Sequence, residues 1–166
     1  ALAAAAAAWS VGCTTEQIRT GLEKMKPVHR RLEQIPTPFG ARLIDDTYNA
    51  NPASVQAAIS VLAARSGSRM LVLGDMAELG KDARNFHQAA GRHAREAGIE
   101  HLLTTGDLAR SAAEEFGSTA CHFEEQEGLI AALRELLSPE LTVLVKGSLS
   151  SRMENVVDAL TQPRAA

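Results

Sequence analysis

The stretch Leu43-Ile44-Asp45-Asp46-Thr47-Tyr48-Asn49-Ala50-Asn51-Pro52 carries more short polar chemistry than the end of a strand needs. A carboxylate accepts two hydroxyl hydrogen bonds, the chemistry that grips a ribose. It equally caps a helix and suits the positive end of the helix dipole. Asp46 is open to both roles. Asn49 and Asn51 tolerate left-handed backbone and serve as turn residues or ligand contacts, and Pro52 fits a first helical turn. Much later in the chain, Lys146-Gly147-Ser148 sets a cation, a flexible backbone and a hydroxyl ahead of a helix, which is half of an anion site.

Other polar groups read first as structure. His29, Arg30 and Arg31 form a basic knot whose default is a solvated hinge, although a guanidinium suits polyphosphate. His87 shares a helix with Phe86 and Ala90 and reads as a packing residue, with Gly91 letting another backbone pass closely. Glu124, Glu125 and Glu127 read as a solvated turn and helix start. The full P-loop spacing occurs nowhere in the chain.

The elements that must position these residues follow from periodicity. Residues 2–9 read as the end of a helix stopped near Gly12. Thr14 or Thr15 caps a short second helix with Glu16 in its first turn and Ile18, Leu22 and Met25 on one face, ending before Pro27. Lys26 to Arg31 is linker-like. Two short strands around Pro-Thr-Pro-Phe-Gly predict a hairpin. Apolar runs at 70–74, 101–105, 120–123 and 141–145 then alternate with helices. These carry Val55, Ile59 and Leu62; Phe86, Ala90, Ala94 and Ala97; Leu129, Leu133, Leu136 and Leu137; and Met153, Val156, Val157 and Leu160. Such a pattern predicts an α/β domain, a mostly parallel sheet covered on both faces with an antiparallel edge hairpin. Ligands of open sheets bind beyond the carboxyl ends of the strands. Asp45 to Asn51, Gly74-Asp75, Thr104 to Asp107 and Lys146 to Ser148 all fall there.

Composition narrows the function class. The chain has 166 residues, 45% apolar and 22% charged, with a net charge of -3, which argues against a dedicated nucleic-acid binder. Cys13 and Cys121 match no metal spacing and read as buried or half-buried thiols in a reducing compartment. No apolar run reaches the roughly 18 to 20 residues of a membrane span. The opening alanine-rich segment lacks the basic start and cleavage pattern of a secretion signal. An abrupt helical start without Met suggests a piece cut from something longer.

Three segments, RLEQIPTPFGARLIDDTYNANPAS, VLGDMAELG followed by FHQAAG, and VLVKGSLSSRMENVV, closely resemble in order and spacing the carboxyl-terminal domain of the Mur ligase family. The resemblance is to the branch that adds D-alanyl-D-alanine to UDP-N-acetylmuramoyl-tripeptide, and it covers about residues 31–162. It implies a Rossmann-like three-layer domain over 31–166, with 1–30 the end of a central ATPase domain and linker. It also implies an ATP-dependent amide ligase of cytoplasmic peptidoglycan synthesis, and hence of cell shape and division. The acceptor carboxylate becomes an acyl phosphate, the dipeptide amine attacks, and a tetrahedral intermediate collapses to the amide. ATP and Mg2+ are the implied cofactors, held mainly by the central domain. The implied partners are both substrates and the protein's own amino-terminal and central domains, with no nucleic acid and no membrane span.

Carried over by position, Arg31, Asp46, Tyr48 and Asn49 are implied nucleotide contacts, with Arg31 toward the phosphates and ribose and Asp46 at the ribose hydroxyls. Asn51, Lys146 and Ser148 are implied contacts near the dipeptide or reacting centre, where a fixed cation offsets developing charge. No catalytic residue and no metal ligand is assigned to this chain. Family members commonly have glycine where Arg30 stands, and often arginine after the Lys-Gly-Ser motif, where this chain has Leu149; Arg152 is the nearby replacement.

Two other readings compete. A phosphoacceptor receiver domain would use an acidic pair, Asp75, Thr104 and Lys146, but Asp75 comes one strand too early and the hairpin is extra. A non-catalytic nucleotide- or peptide-binding module describes what the chain does alone, since without a P-loop it is expected to fold but not to ligate.

Overall fold

The computed structural model describes residues 2–25, 28–38 and 40–162. The Pro27 stop, Lys26 of the linker, Phe39 of the hairpin turn and the last four positions of the 31–166 domain lie outside the described residues.

Helix α1 spans Leu2–Ser10, and α2 spans Thr15–Glu23 behind a Thr14 cap. The Thr14 side chain accepts from the Gln17 amide while the Gln17 side chain accepts from the Thr14 amide, a capping box. Strand β1 (Glu33–Pro36) pairs antiparallel with β2 (Arg42–Asp46), the expected hairpin. Then follow α3 (Pro52–Ala63), β3 (Ser68–Leu73), α4 (Ala83–Glu96), β4 (His101–Thr105), α5 (Arg110–Phe116), β5 (Ala120–Phe123), α6 (Gln126–Leu136), β6 (Leu141–Lys146) and α7 (Glu154–Thr161).

The sheet order is β1-β2-β6-β3-β4-β5, with every pair parallel except β1–β2. Alternation along each strand divides the core. Ile44, Leu71, Leu73, Leu102 and Leu144 face α3, α4 and α5, while Leu43, Met70, Val72, Leu103, Val143 and Val145 face α6 and α7. Covering both faces explains why β6 is buried along its whole length.

Four sequence expectations change. Phe86 is exposed at 39%, and the buried side of α4 is His87, Ala90, Gly91 and Ala94. That face is narrow because α5 lies against it, with the Ala112 carbonyl where a Gly91 side chain would stand. Helix α5 was not expected, since only Ala112, Ala113 and Phe116 give its seven residues an apolar face. Leu136 is exposed because α6 turns only Leu129 and Leu133 fully onto the sheet. Cys121 is exposed on edge strand β5, which has no outer neighbour to cover it, while Cys13 is half-buried.

Candidate functional site

Parallel strands bring the ends of β2, β6, β3 and β4 to one edge of the sheet, and the polar segments converge there. The β2–β6 register sets Asp46 opposite Lys146, each the last residue of its strand. Lys146 is 2% exposed. Its Nζ lies 2.5 Å from Asp46 Oδ2 and donates to the Asn49 carbonyl at 2.9 Å. Asp46 Oδ1 accepts the Leu32 amide at 3.2 Å. A buried ammonium without such partners would neutralise rather than stay charged, so the carboxylate and carbonyl are what permit a lysine in the core.

These bonds tie the segment before β1 to the loop after β2. The Tyr48 amide donates to the Arg30 carbonyl at 3.1 Å. The Arg31 guanidinium stands 4.2 Å from the centre of the half-exposed Tyr48 ring, within cation–π range. Arg31, Asp46, Tyr48, Asn49, Asn51 and Lys146 line one cleft of about 410 Å³. The four residues implied for the nucleotide therefore share a wall with two of the three implied for the dipeptide.

Helix α3 is capped by Asn51. Its Oδ1 accepts the Ser54 amide at 2.9 Å, and its own amide donates to Ser54 Oγ at 3.0 Å. The capping alternative for Asp46 is thus overturned, and Asp45 does not cap either, because its Oδ1 takes the Thr47 amide and hydroxyl at 3.0 and 2.7 Å. Asn49 Oδ1 accepts the Ala50 amide. The left-handed backbone expected to suit the asparagines falls elsewhere: among the described residues, positive φ outside glycine occurs at Arg30, Leu32, Glu78 and Arg152. Arg30 holds a left-handed backbone at φ 59°. An L-residue there gives up roughly 1–2 kcal/mol, partly offset by a 3.6 Å ion pair with Glu154. His29 and the Arg30 amide both bond Glu33, and those contacts, the amide first, hold its carboxyl below the usual range.

Ser148 belongs to a second knot. The Asp75 carbonyl takes three donors: the Ser148 amide at 2.9 Å, Ser148 Oγ at 2.7 Å and Ser151 Oγ at 2.8 Å. Asp75 Oδ1 accepts the Ala109 amide at 2.7 Å. One residue thereby fastens the loops after β3, β4 and β6 together. Beside it lies a cleft of about 390 Å³, lined by Asp75, Thr105, Gly106, Gln126, Ser151 and Arg152, with Glu124, Glu125 and Glu127 at its acidic side. Arg110 bonds Glu124 and holds that carboxyl below the usual range. Leu149 is 61% exposed on a 3-10 turn, and Arg152 follows that turn at φ 51°. His87 is buried, accepting the Met76 amide at Nε2 and donating from Nδ1 to the Ala83 carbonyl, so it packs as expected.

Sequence reasoning missed Leu32, Ala109 and Gly106, because two act through backbone amides and the third through the side chain it lacks. It noticed Asp75 without the three-way contact its carbonyl makes. No group of three or more His, Cys, Asp or Glu placed to hold a metal occurs among the described residues, and none of their helices is long and apolar enough to cross a membrane. The receiver set is not assembled, since β6 separates the acidic pair on β2 from Asp75.

Comparison with known proteins adds a lineage. Residues 30–149 match the family described as Mur ligase, glutamate ligase domain. The chain is 43% identical over 164 residues to the UDP-N-acetylmuramoyl-tripeptide–D-alanyl-D-alanine ligase of Escherichia coli K12, covering 98% of this chain and 36% of that protein. The crystal structure of MurF from Acinetobacter baumannii matches with a TM-score of 0.83 at 32% identity, over 94% of this chain and 35% of that one. MurF ligase from Thermotoga maritima, solved in complex with ADP, shares the fold at 23% identity with a TM-score of 0.82, again over 94% and 35%. The chain spans about a third of the length of these relatives.

Proposed function

The chain belongs to the Mur ligase family, and from that premise we propose that it is the carboxyl-terminal part of an ATP-dependent ligase joining D-alanyl-D-alanine to UDP-N-acetylmuramoyl-tripeptide in peptidoglycan synthesis. Residues 31–166 form the domain, and 1–30 the end of a central ATPase domain with its linker. The family match from residue 30 and the lack of any fully buried residue in α1 and α2 support that division. A reaction that draws on ATP and a nucleotide-linked substrate belongs in the cytoplasm.

The observation that carries this reading is the pair of clefts at one sheet edge, each with its own arginine and carboxylate. ATP supplies the phosphoryl group that activates the tripeptide carboxylate. Arg31, stacked on Tyr48, offers a guanidinium to its phosphates. Asp46 and Asn49 line the same cleft, and the carboxylate lone pairs that Leu32 and Lys146 leave free are what Asp46 offers the nucleoside. The dipeptide takes the second cleft, where Arg152 suits its carboxylate and the acidic side suits its ammonium end. This moves the dipeptide away from Lys146 and Ser148, whose ammonium and hydroxyl bond within the fold, and from Asn51, whose side-chain oxygen caps α3. The described residues do not by themselves fit a magnesium ion: Asp46 and Asp75 already accept internal donors, and no three acidic or imidazole groups among the described residues stand close enough together to hold one.

The test is ADP release by the protein that carries this chain on its upstream sequence, given the nucleotide-linked tripeptide and a panel of single amino acids or D-alanyl-D-alanine. Release dependent on D-alanyl-D-alanine is expected, with Arg31→Ala raising KM for ATP and Arg152→Ala raising KM for the dipeptide by about tenfold or more, the worth of one charged hydrogen bond. Release with a single amino acid would assign another ligation step. The 166-residue chain alone is expected to release none.

A further inference from the structure

Lys146 is the largest fully buried side chain among the described residues, and its charge faces inward. The ammonium spends two of its three donors on a carboxylate at 2.5 Å and a carbonyl at 2.9 Å, and at 2% exposure the third has little reach to a ligand. Its partner is more informative. Asp46 bonds Lys146 through Oδ2 and the Leu32 amide through Oδ1, so the carboxylate bridges β6 to the residue directly after Arg31. The residue before Arg31 is held as well, its carbonyl accepting the Tyr48 amide. Arg31 is thus fixed on both sides, and its guanidinium lies on the Tyr48 ring. The Asn49 carbonyl, the second acceptor of Lys146, fixes the other end of the loop that bears Tyr48.

We infer that Lys146 is a positioning residue: through Asp46 and the Asn49 carbonyl it holds the 30–32 segment and the Tyr48 loop together, and so aims Arg31 into the first cleft. It does not touch the dipeptide or the acyl phosphate. The inference rests on the proposed function only where it speaks of nucleotide; the positioning itself is a property of the chain without ligand. A free cation on a flexible stem would instead be exposed and paired with nothing inside the fold, the opposite of what Lys146 does.

The ligand-free arm of the test uses this chain, whose single tyrosine is Tyr48. With the tyrosine ring isotopically labelled, Lys146→Met is expected to move the ring resonances to where Arg31→Ala puts them, and to speed exchange of the Leu32 amide about tenfold, the worth of one hydrogen bond to a charged group. Lys146→Arg is expected to restore part of both signals. Resonances and exchange unchanged in Lys146→Met would overturn the inference. If that variant does not fold, Asp46→Ala with Lys146→Met removes both charges together. Its ring signal is expected at the Arg31→Ala position, and a native position would overturn the inference equally.

The kinetic arm uses the full-length protein. Lys146→Met is expected to raise KM for ATP about tenfold and to leave KM for D-alanyl-D-alanine within about twofold. A rise in the dipeptide KM alone would mean direct contact and end the positioning role. The spectroscopic arm stands whatever the reaction, so a protein that shows the ring shift but never turns over ATP would refute the functional reading and not the inference.

Discussion

On the β2 and β6 side of the sheet edge, Asp46 spends both carboxylate oxygens on the interior, and its partner Lys146 is buried. On the β3 and β4 side, Asp75 does its structural work mainly through its backbone carbonyl, and the arginine of that cleft, Arg152, is exposed. The two clefts are similar in volume, about 410 and 390 Å³, so size does not distinguish them. Both arginines are exposed, and the difference lies in the aspartates' partners: a buried lysine in the first cleft and a backbone amide in the second. A site built on an internal ion pair is rigid and intolerant of change, because removing one partner strands the other. An aspartate partnered by a backbone amide strands no charge when it changes.

The sharpest way to break this comparison is to strand a charge. Lys146→Met is expected to lower unfolding free energy by about 3–5 kcal/mol, read from urea denaturation. Asp75→Asn keeps the carbonyl and an acceptor at Oδ1, and is expected to cost about 1 kcal/mol or less. Equal losses in the two variants would mean that the clefts do not differ as argued.

A smaller effect tests the second cleft's backbone. Gly106 has φ +104°, and an added Cβ would sit 2.5 Å from Asp75 Oδ1. Gly106→Ala is therefore expected to cost about 1–3 kcal/mol and to expose the Ala109 amide to exchange. The Leu32 amide is expected to stay protected; its loss as well would join the clefts into one unit.

The smallest effect is a pH dependence near the second cleft. Burial first, then the charge of Arg110, holds the His122 imidazole below its ordinary value, against opposing pulls from Glu124, Asp75 and Asp107. The unfolded chain therefore binds this proton before the folded one does. Stability falls as pH drops through the unfolded value of about 6.5 and flattens below the folded value. Denaturation midpoints between about pH 7.5 and 5.5, bracketing that unfolded value, are expected to slope less in His122→Gln than in the unsubstituted chain. An identical slope would remove His122 from the pH response.

Most of the architecture was legible because it depends on local periodicity. The hairpin, the β4 and β5 boundaries and the buried rows of α3 and α7 follow from residues a few positions apart. Helix α5 was not legible, since a short helix with two alanines and one phenylalanine against the core has too weak a pattern. Phe86 misled for the opposite reason: a large apolar residue at the right spacing still lay outside the part of α4 that α5 and the sheet cover.

The sequence by itself determined that Asp46 and Lys146 fall at the carboxyl ends of strands on a common edge, because strand periods and chain direction decide that. It also determined the lineage, through long motifs in fixed order. Only the tertiary structure decided that these two residues neutralise each other. Their pairing depends on β6, the last strand in sequence, inserting between β2 and β3 in register. No local pattern encodes a neighbour so distant along the chain. The same insertion brings Ser148 and Ser151 onto the Asp75 carbonyl beside the second cleft, a knot centred on a backbone acceptor that every residue possesses.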